Sequence, residues 1–352
     1  MTTTAEPVET GGTVALSARA RRRSELTRRD LLVSAALSGA AVIPTAALLF
    51  LAYQMFKQAY PAIVFNGWHF FTSKNFTMGN LYATSVEVRH GYKAAHGASY
   101  GVLPLLFGTV VCSLIALVVA VPISVGGAVL LAERVPRRLQ GPLGTFLELL
   151  AGIPSVVFGL WGIYTFGPLM SRTLFRWIAD LHIPWLSGQT GAGEGLLTSS
   201  LVLAVMIIPI IASTTRELVR SVPPLSKEGA VALGLTSSEV VRVVTIPYVR
   251  TGILAASILG LARALGETIA VLIISGNALN IYPHNVFAPF STMAATIAAF
   301  LDGALTDSTG MALHALAEVG LVLLAVTLLA NLGGRIISNR FGGVALPVGR
   351  GV

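Results

Sequence analysis

Charge is what this chain has least of. Only 11% of its 352 residues are Asp, Glu, Lys or Arg, against about 25% in an ordinary soluble domain. Such a surface cannot face water on every side, which excludes a soluble enzyme, a nucleic-acid-binding domain and a disordered scaffold. Cysteine is nearly absent too. Cys112 stands alone inside an apolar run, so neither an intrachain disulfide framework nor a cysteine-based zinc site is open to this sequence. No G-x-x-x-x-G-K-[ST] loop occurs, and with it goes the usual backbone cradle for the phosphates of ATP. Acidic residues number 16 against 24 basic ones, for a net charge of +8. That excess suits either nucleic acid or a membrane surface, and its distribution selects the membrane.

What is present is apolar: 54% of the residues. Six stretches are long enough to cross a hydrocarbon core of roughly 30 Å, which takes about 20 helical residues. They are Leu31–Phe56, Leu105–Ala132, Phe146–Met170, Leu196–Thr214, Gly252–Gly276 and Met311–Ile337. A bundle of buried helices in a large soluble protein would need a polar shell that this composition does not supply. Placing the N-terminus in the cytoplasm puts 17 lysines and arginines on the inner side, six on the outer side and one, Arg263, within a span. The positive-inside rule therefore predicts that both termini are cytoplasmic. Residues 1–30 are polar and arginine-rich and are expected to be disordered. Thr27-Arg28-Arg29-Asp30-Leu31-Leu32 imitates a twin-arginine export signal, but its apolar run continues to Phe56 and five further spans follow, as in an uncleaved first span. The outer segment 57–104 carries Trp68, Phe70, Phe71, Phe76, Tyr82, Tyr92 and Tyr100, too many aromatics for a loose linker. It is expected to form a small packed cap. Glu87, Arg89, His90 and His96 lie within it, at a spacing that matches no metal-ligand pattern. A short cytoplasmic tail, 341–352, ends the chain.

The connection Ser221–Thr251 holds more than a turn. After Pro223-Pro224 come two short helical stretches, Leu225–Leu235 and Ser237–Thr245, the second capped by Ser237 or Ser238 and ending at Ile246-Pro247. Short amphipathic helices outside the bilayer need a partner surface. Glu228-Gly229-Ala230, Gly234 and Val244-Thr245-Ile246-Pro247 resemble the EAA loop of bacterial ABC-importer permeases at the same spacing, with Gly229, Val244 and Ile246 as departures. The resemblance implies that Glu228, Gly229, Ala230, Gly234 and Pro247 belong to a coupling helix that docks on an ATP-hydrolysing subunit.

The fifth span carries Arg263-Ala264-Leu265-Gly266-Glu267-Thr268. A charge at membrane depth costs several kcal/mol and is a functional candidate by default. Arg263 and Glu267 stand at i and i+4, where one helix face brings them together. Two readings stay open: an ion pair that fixes helix rotation, or a guanidinium placed for a tetrahedral oxyanion. In the third span, Leu150-Ala151-Gly152-Ile153-Pro154-Ser155 offers either a simple proline kink or a local helix start whose N–H groups, with the Ser155 hydroxyl, face an anion. His314 and Glu318, also at i and i+4, read as a structural pair near the outer end of the last span.

Both glycine-rich motifs, and the later Ser275-Gly276-Asn277, are similar to the phosphate branch of the importer permeases, PstC type, over roughly residues 100–340. The resemblance implies an all-α membrane protein with six transmembrane helices and a type I (MetI-like) permease core, 105–340, that bears cytoplasmic coupling helices. It implies a plasma-membrane phosphate permease with Arg263, Glu267, Ser155 and Thr268 along the substrate path. A sister permease of PstA type, two ATP-binding subunits and an extracytoplasmic phosphate-binding protein would complete it, with ATP held by the partners and no cofactor or nucleic acid on this chain. A permease for sulfate or molybdate remains the nearest rival. An ion-coupled transporter using Glu267 would need no docking loop, and a membrane enzyme would need a nucleophile–base or metal set that is missing at membrane depth. The purified chain alone is expected to hydrolyse no ATP in a phosphate-release assay, with activity appearing only when ATP-binding subunits are added.

Overall fold

In the computed structural model, residues 11–81 and 85–341 are described. The chain divides into two units, Met1–Lys57 and Gln58–Val352. Helix α1, Gly11–Asn66, contains the first expected span. Gly11–Asp30, within the segment expected to be disordered, carry the same helix. The stretch is rich in Ala and Arg and meets no proline before Pro44, so its composition is compatible with a helix that extends backward from the span. Residues 1–10, Tyr82 and the tail beyond Phe341 lie outside the described residues.

Among the described residues, four helices are long and apolar enough to cross a membrane: Leu103–Arg134, Leu196–Arg220, Ser237–Leu265 and Met311–Arg340. A bent pair, Arg137–Ala151 with Ser155–Arg172, at 88° to each other, has the length and composition of a fifth when its two arms are taken as one span. The third expected span, Phe146–Met170, is thus broken. α4 (Arg137–Ala151) ends at Gly152, and α5 (Ser155–Trp161) restarts after Pro154, whose φ is −58° and ψ 137°. Proline bars the preceding residue from helical geometry and lacks the N–H that would continue the ladder. A π-turn, Gly162–Phe166, then leads into α6 (Gly167–Arg172), and α7 (Leu174–Ala179) follows.

The fifth span is also placed differently from Gly252–Gly276. Its helix begins at Ser237, as α10 (Ser237–Val240), a π-turn (Val241–Thr245) and α11 (Ile246–Leu265) in one run, and stops at Gly266. α12 (Ile269–Ile274) resumes beyond the break. Pro247 does not end the second helical stretch of the loop as expected. It sits in the first turn of α11, where the wider π-turn before it leaves room for a residue without an N–H.

The bundle is centred on α3 (Leu103–Val129) and α8 (Leu196–Arg220). Thr109, Ser113, Ala116, Ala120, Ser124 and Ala128 are buried at intervals of about one turn, a stripe of small side chains that lets backbones approach closely. Cys112, Ala116 and Ala120 share a core with Leu203, Ala204, Ile207 and Ile211 of α8 and Ala256 of α11. Gly260 of α11 meets Ile211 directly, where a Cβ would stand 2.7 Å from its Cδ1. α5 packs on α12 the same way. A Cβ on Gly159 would meet the Cα of Ala270 at 3.1 Å, and one on Gly162 would collide with Ile274. Both partners advance in the same direction, so the two restarted helices run parallel.

The cap is a small β structure. β1 (Phe76–Thr77) pairs antiparallel with β4 (Ser99–Tyr100), and β2 (Val86–Arg89) with β3 (Tyr92–Ala95). The second hairpin turns through His90 (φ 48°) and Gly91 (φ 83°), the two left-handed residues a type I′ turn demands. Phe65, Phe70, Phe76 and Tyr100 pack with Met293 of α13 (Met293–Leu305) and with Met311 and Ala312 of α14 (Met311–Phe341). Trp68, by contrast, is 80% exposed. Gly159→Val should force α5 and α12 apart and cost about 1–3 kcal/mol, read as a lower thermal midpoint of the detergent-solubilised protein, whereas Gly126→Ala, inside α3 with open space around it, should not lower it.

Candidate functional site

The connection after α8 folds as two helical stretches around Gly234, as read, but with a shift of cap and with the second stretch running on through Pro247 into α11. α9 runs Pro224–Ala232, and Gly234 follows it at φ +86°. The Leu235 N–H reaches the Ala230 carbonyl at 3.2 Å and the Gly234 N–H that of Val231 at 2.9 Å, a Schellman closure that needs a left-handed residue at Gly234. The next helix is capped by Thr236, not by Ser237 or Ser238. The Thr236 N–H donates to Glu239 Oε2 at 2.7 Å, and the Glu239 N–H returns to Thr236 Oγ1 at 3.4 Å, a capping box. Capping falls to Thr236 because it is the residue left in extended geometry (φ −70°, ψ 158°) directly after the glycine turn. Glu228 and Gly229 are exposed and Ala230 is buried. Around them stand Leu225 and Leu233, 81% and 83% exposed, with Val231 and Val243 also uncovered. This is an apolar surface at the basic end of the bundle, shared by a short helix closed at its C-terminal end and the capped helix start that follows it.

The substrate-path candidates fall at the two breaks. Ser155 is the first residue of α5 and half-buried; Thr268 precedes α12 and is half-buried; Glu267 lies in the gap between α11 and α12; Arg263 is exposed in the last turn of α11. Because α5 and α12 pack in parallel through Gly159 and Ala270, both breaks lie toward the same end of that pair. Of the two readings of Arg263 and Glu267, the ion pair does not form: among the described residues the ion pairs are Arg89–Glu87 and Lys227–Glu133. The reason is the break itself. The helix ends at Leu265, the Glu267 N–H bonds the Ala264 carbonyl at 3.3 Å, and Thr268 Oγ1 donates to the Gly266 carbonyl at 3.1 Å, so the i, i+4 face is lost. The Pro154 site likewise exceeds a simple kink, since α4 leaves at 88°.

His314 and Glu318 also part company. His314 Nδ1 meets the Gln58 carbonyl at 2.6 Å, while Glu318 accepts from Asn66 Nδ2 at 2.8 Å, so both fasten α14 to the end of α1. In the cap, Glu87 is engaged by Arg89 at 3.0 Å and by the Gly97 N–H at 3.2 Å.

Two polar centres at the basic end escaped the sequence reading. Gln140 accepts from buried Arg216 at its carbonyl (2.9 Å) and from Arg220 at its side chain (2.8 Å), and donates to the Val135 carbonyl at 2.9 Å. Gly144 leaves the space that the Arg216 guanidinium fills. The second centre is Glu133, which takes Lys227 Nζ at 2.8 Å and Thr245 Oγ1 at 2.9 Å. Its signal in the sequence was slight, a lone acid in a connection otherwise basic.

The family described as binding-protein-dependent transport system inner membrane component matches residues 124–342. The chain belongs to that family. Its matched stretch holds the α9 loop and both breaks, and leaves α1 and the cap outside. Among individual relatives, the permease is 51% identical over 317 residues to "Phosphate transport system permease protein PstC 1" of Mycobacterium tuberculosis, covering 89% of this chain and 94% of that one. It is 42% identical over 234 residues to the PstC protein of Pasteurella multocida, covering 65% and 72%. A solved methionine ABC transporter, MetNI, in an inward-facing form aligns at a TM-score of 0.46 and 18% identity, over 66% of this chain and 91% of that one. The permease is thus a multi-pass protein of the bacterial plasma membrane.

The two glycines of the loop should respond with opposite sign. Neither would bring a new Cβ within 4 Å of another atom, so only the backbone decides. Gly234→Ala should loosen the α9 end by about 1–2 kcal/mol, the cost of a left-handed alanine. Gly229→Ala, inside the helix, should firm it by up to about 1 kcal/mol. Hydrogen exchange of the α9 amides measures both.

Proposed function

We propose that this chain is a membrane subunit of an ATP-driven inorganic phosphate importer, with both termini in the cytoplasm. The observation that carries the substrate is its likeness, along most of its length, to phosphate permeases. The geometry of the α9 loop supports the coupling. A short helix with exposed Leu225 and Leu233 has the chemistry of a segment that buries its apolar side in a groove on another subunit. In this reading a sister permease completes the path, two ATP-binding subunits engage the loop around Glu228, Ala230 and Gly234, and a phosphate-binding protein delivers the anion at the cap side. Residues 31–56 form a first span, 57–104 the extracytoplasmic cap and 105–340 the permease core.

Phosphate passes the two breaks. Arg263, which has no acidic partner among the described residues, keeps its guanidinium donors for an oxyanion, a geometry suited to paired hydrogen bonds. Ser155 and Thr268 bring hydroxyls to the starts of α5 and α12, where the first N–H groups of a helix have no intrahelical acceptor. Glu267 sits directly before Thr268 in the gap between α11 and α12, and its negative charge disfavours a resting anion beside it, so the path passes phosphate on without holding it. Alternating access would then be a rocking of packed helices around these fixed breaks, set in motion from the loop.

The test is phosphate uptake in cells lacking this gene, complemented with wild type, Arg263→Gln or Glu228→Arg, with membrane insertion and co-purification of the ATP-binding subunit scored for each. Wild type should restore uptake. Arg263→Gln should assemble normally and lose most of it, while Glu228→Arg should lose subunit binding and transport together. Failure of wild type to restore phosphate uptake would sink the substrate and bring sulfate or molybdate forward.

A further inference from the structure

The end of α3 passes through a π-turn, Leu130–Arg134, before the chain bends into α4. Glu133 of that turn gathers two remote segments on one oxygen. Lys227, the residue before Glu228 in α9, donates to Glu133 Oε1 at 2.8 Å, and Thr245, two residues before Pro247, donates to the same atom at 2.9 Å. The second span, the docking helix and the start of the fifth span's helix are therefore joined at a single carboxylate oxygen. The side chains of Lys227 and Glu133 are only 26% and 16% exposed, and Thr245 is fully buried. An ion pair shielded to this degree is less screened than an exposed one, which would be worth little. Arg134 adds a second strut, from its Nη2 to Ser238 Oγ at 3.2 Å.

Two features mark this joint as more than a brace. Glu133 and Thr245 both lie in π-turns, Leu130–Arg134 and Val241–Thr245. A π-turn carries one residue beyond the α-helical register and is concentrated at functional sites; moving it along the helix changes the register of everything beyond. Beside the joint is a cavity of about 360 Å³ lined by Ala132, Glu133, Arg134, Lys227, Val231 and Ser237, so the segments that meet there have room to shift. A packed core resists continuous deformation and passes on a displacement only through elements with discrete arrangements.

We propose that Glu133 is a positioning residue that transmits movement of the docking helix to the second and fifth spans together. The proposal rests on the reading of the chain as a permease driven by partner ATPases. A static brace would lower assembly, and with it hydrolysis and transport in parallel. A transmitting joint would separate them.

The experiment uses the complete complex, this chain with its sister permease, ATP-binding subunits and binding protein, in proteoliposomes, with phosphate uptake and ATP hydrolysis measured in the same vesicles. In Glu133→Gln, ATP hydrolysis should persist while phosphate moved per ATP falls about 5- to 150-fold, the span of ordinary site-to-site coupling. Thr245→Val should show a smaller fall. Exchanging the pair, Glu133→Lys with Lys227→Glu, should recover part of the ratio. A wild-type ratio in Glu133→Gln and Thr245→Val, including a parallel loss of hydrolysis and uptake, overturns the proposal. If Glu133→Gln does not assemble, Thr245→Val alone decides, and an unchanged ratio there has the same meaning. Should the wild-type complex itself take up no phosphate on ATP, the functional reading falls, and the joint with it.

Discussion

Within hydrocarbon, a backbone N–H or C=O has no water to turn to, and every such group must find its partner inside the protein. The whole arrangement follows from that constraint. Continuous helices satisfy it on their own, which is why α3, α8 and α14 run for 25 residues or more. Broken helices satisfy it only where neighbours cover the break. Both breaks are next to α5 and α12, which pack as closely as glycine permits, with Gly159 on Ala270 and Gly162 against Ile274. Close packing therefore makes unwound backbone tolerable at membrane depth, and unwound backbone is where polar side chains such as Ser155, Glu267 and Thr268 can sit.

The same rule divides the molecule into stiff and adaptable parts. The α3–α8 pair, built on a stripe of small side chains, leaves little room for rearrangement. The basic end is built otherwise. There the links are polar, through Gln140 with Arg216 and Arg220 and through Glu133 with Lys227 and Thr245. Polar links between helix ends can exchange partners at small cost, whereas interdigitated apolar cores cannot. Family membership shows that the chain serves transport, and the contrast between a rigid bundle and a polar, π-turned end says where such a machine would take its input.

Much of this was legible beforehand. Low charge and long apolar runs specify membrane helices by themselves, because the cost of burying charge in lipid exceeds any local preference. The loop was legible because its signals are local: Gly234 for a left-handed turn and a proline at each end. Its cap was misassigned by a residue or two because Thr236, Ser237 and Ser238 are chemically equivalent, and only backbone geometry selects among them. For Arg263 and Glu267 the sequence left two readings open, because the i, i+4 rule assumes an uninterrupted helix, and only the structure shows that α11 stops at Gly266.

By itself the sequence determined the solvent this protein lives in, the approximate place of its apolar segments, the glycine turn of the α9 loop and the family to which it belongs. All of these rest on composition, on residues within one turn of each other or on motifs recognised by their spacing along the chain. Tertiary structure alone decided that the third and fifth spans are broken side by side, that His314 and Glu318 turn to α1 and not to one another, and that Glu133 meets Lys227 and Thr245. Those contacts join residues up to about 250 positions apart, as with Asn66 and Glu318, and no local propensity carries information across such a distance. They exist because helices that must bury every polar group choose their neighbours by shape, and shape is settled only when the whole bundle is packed.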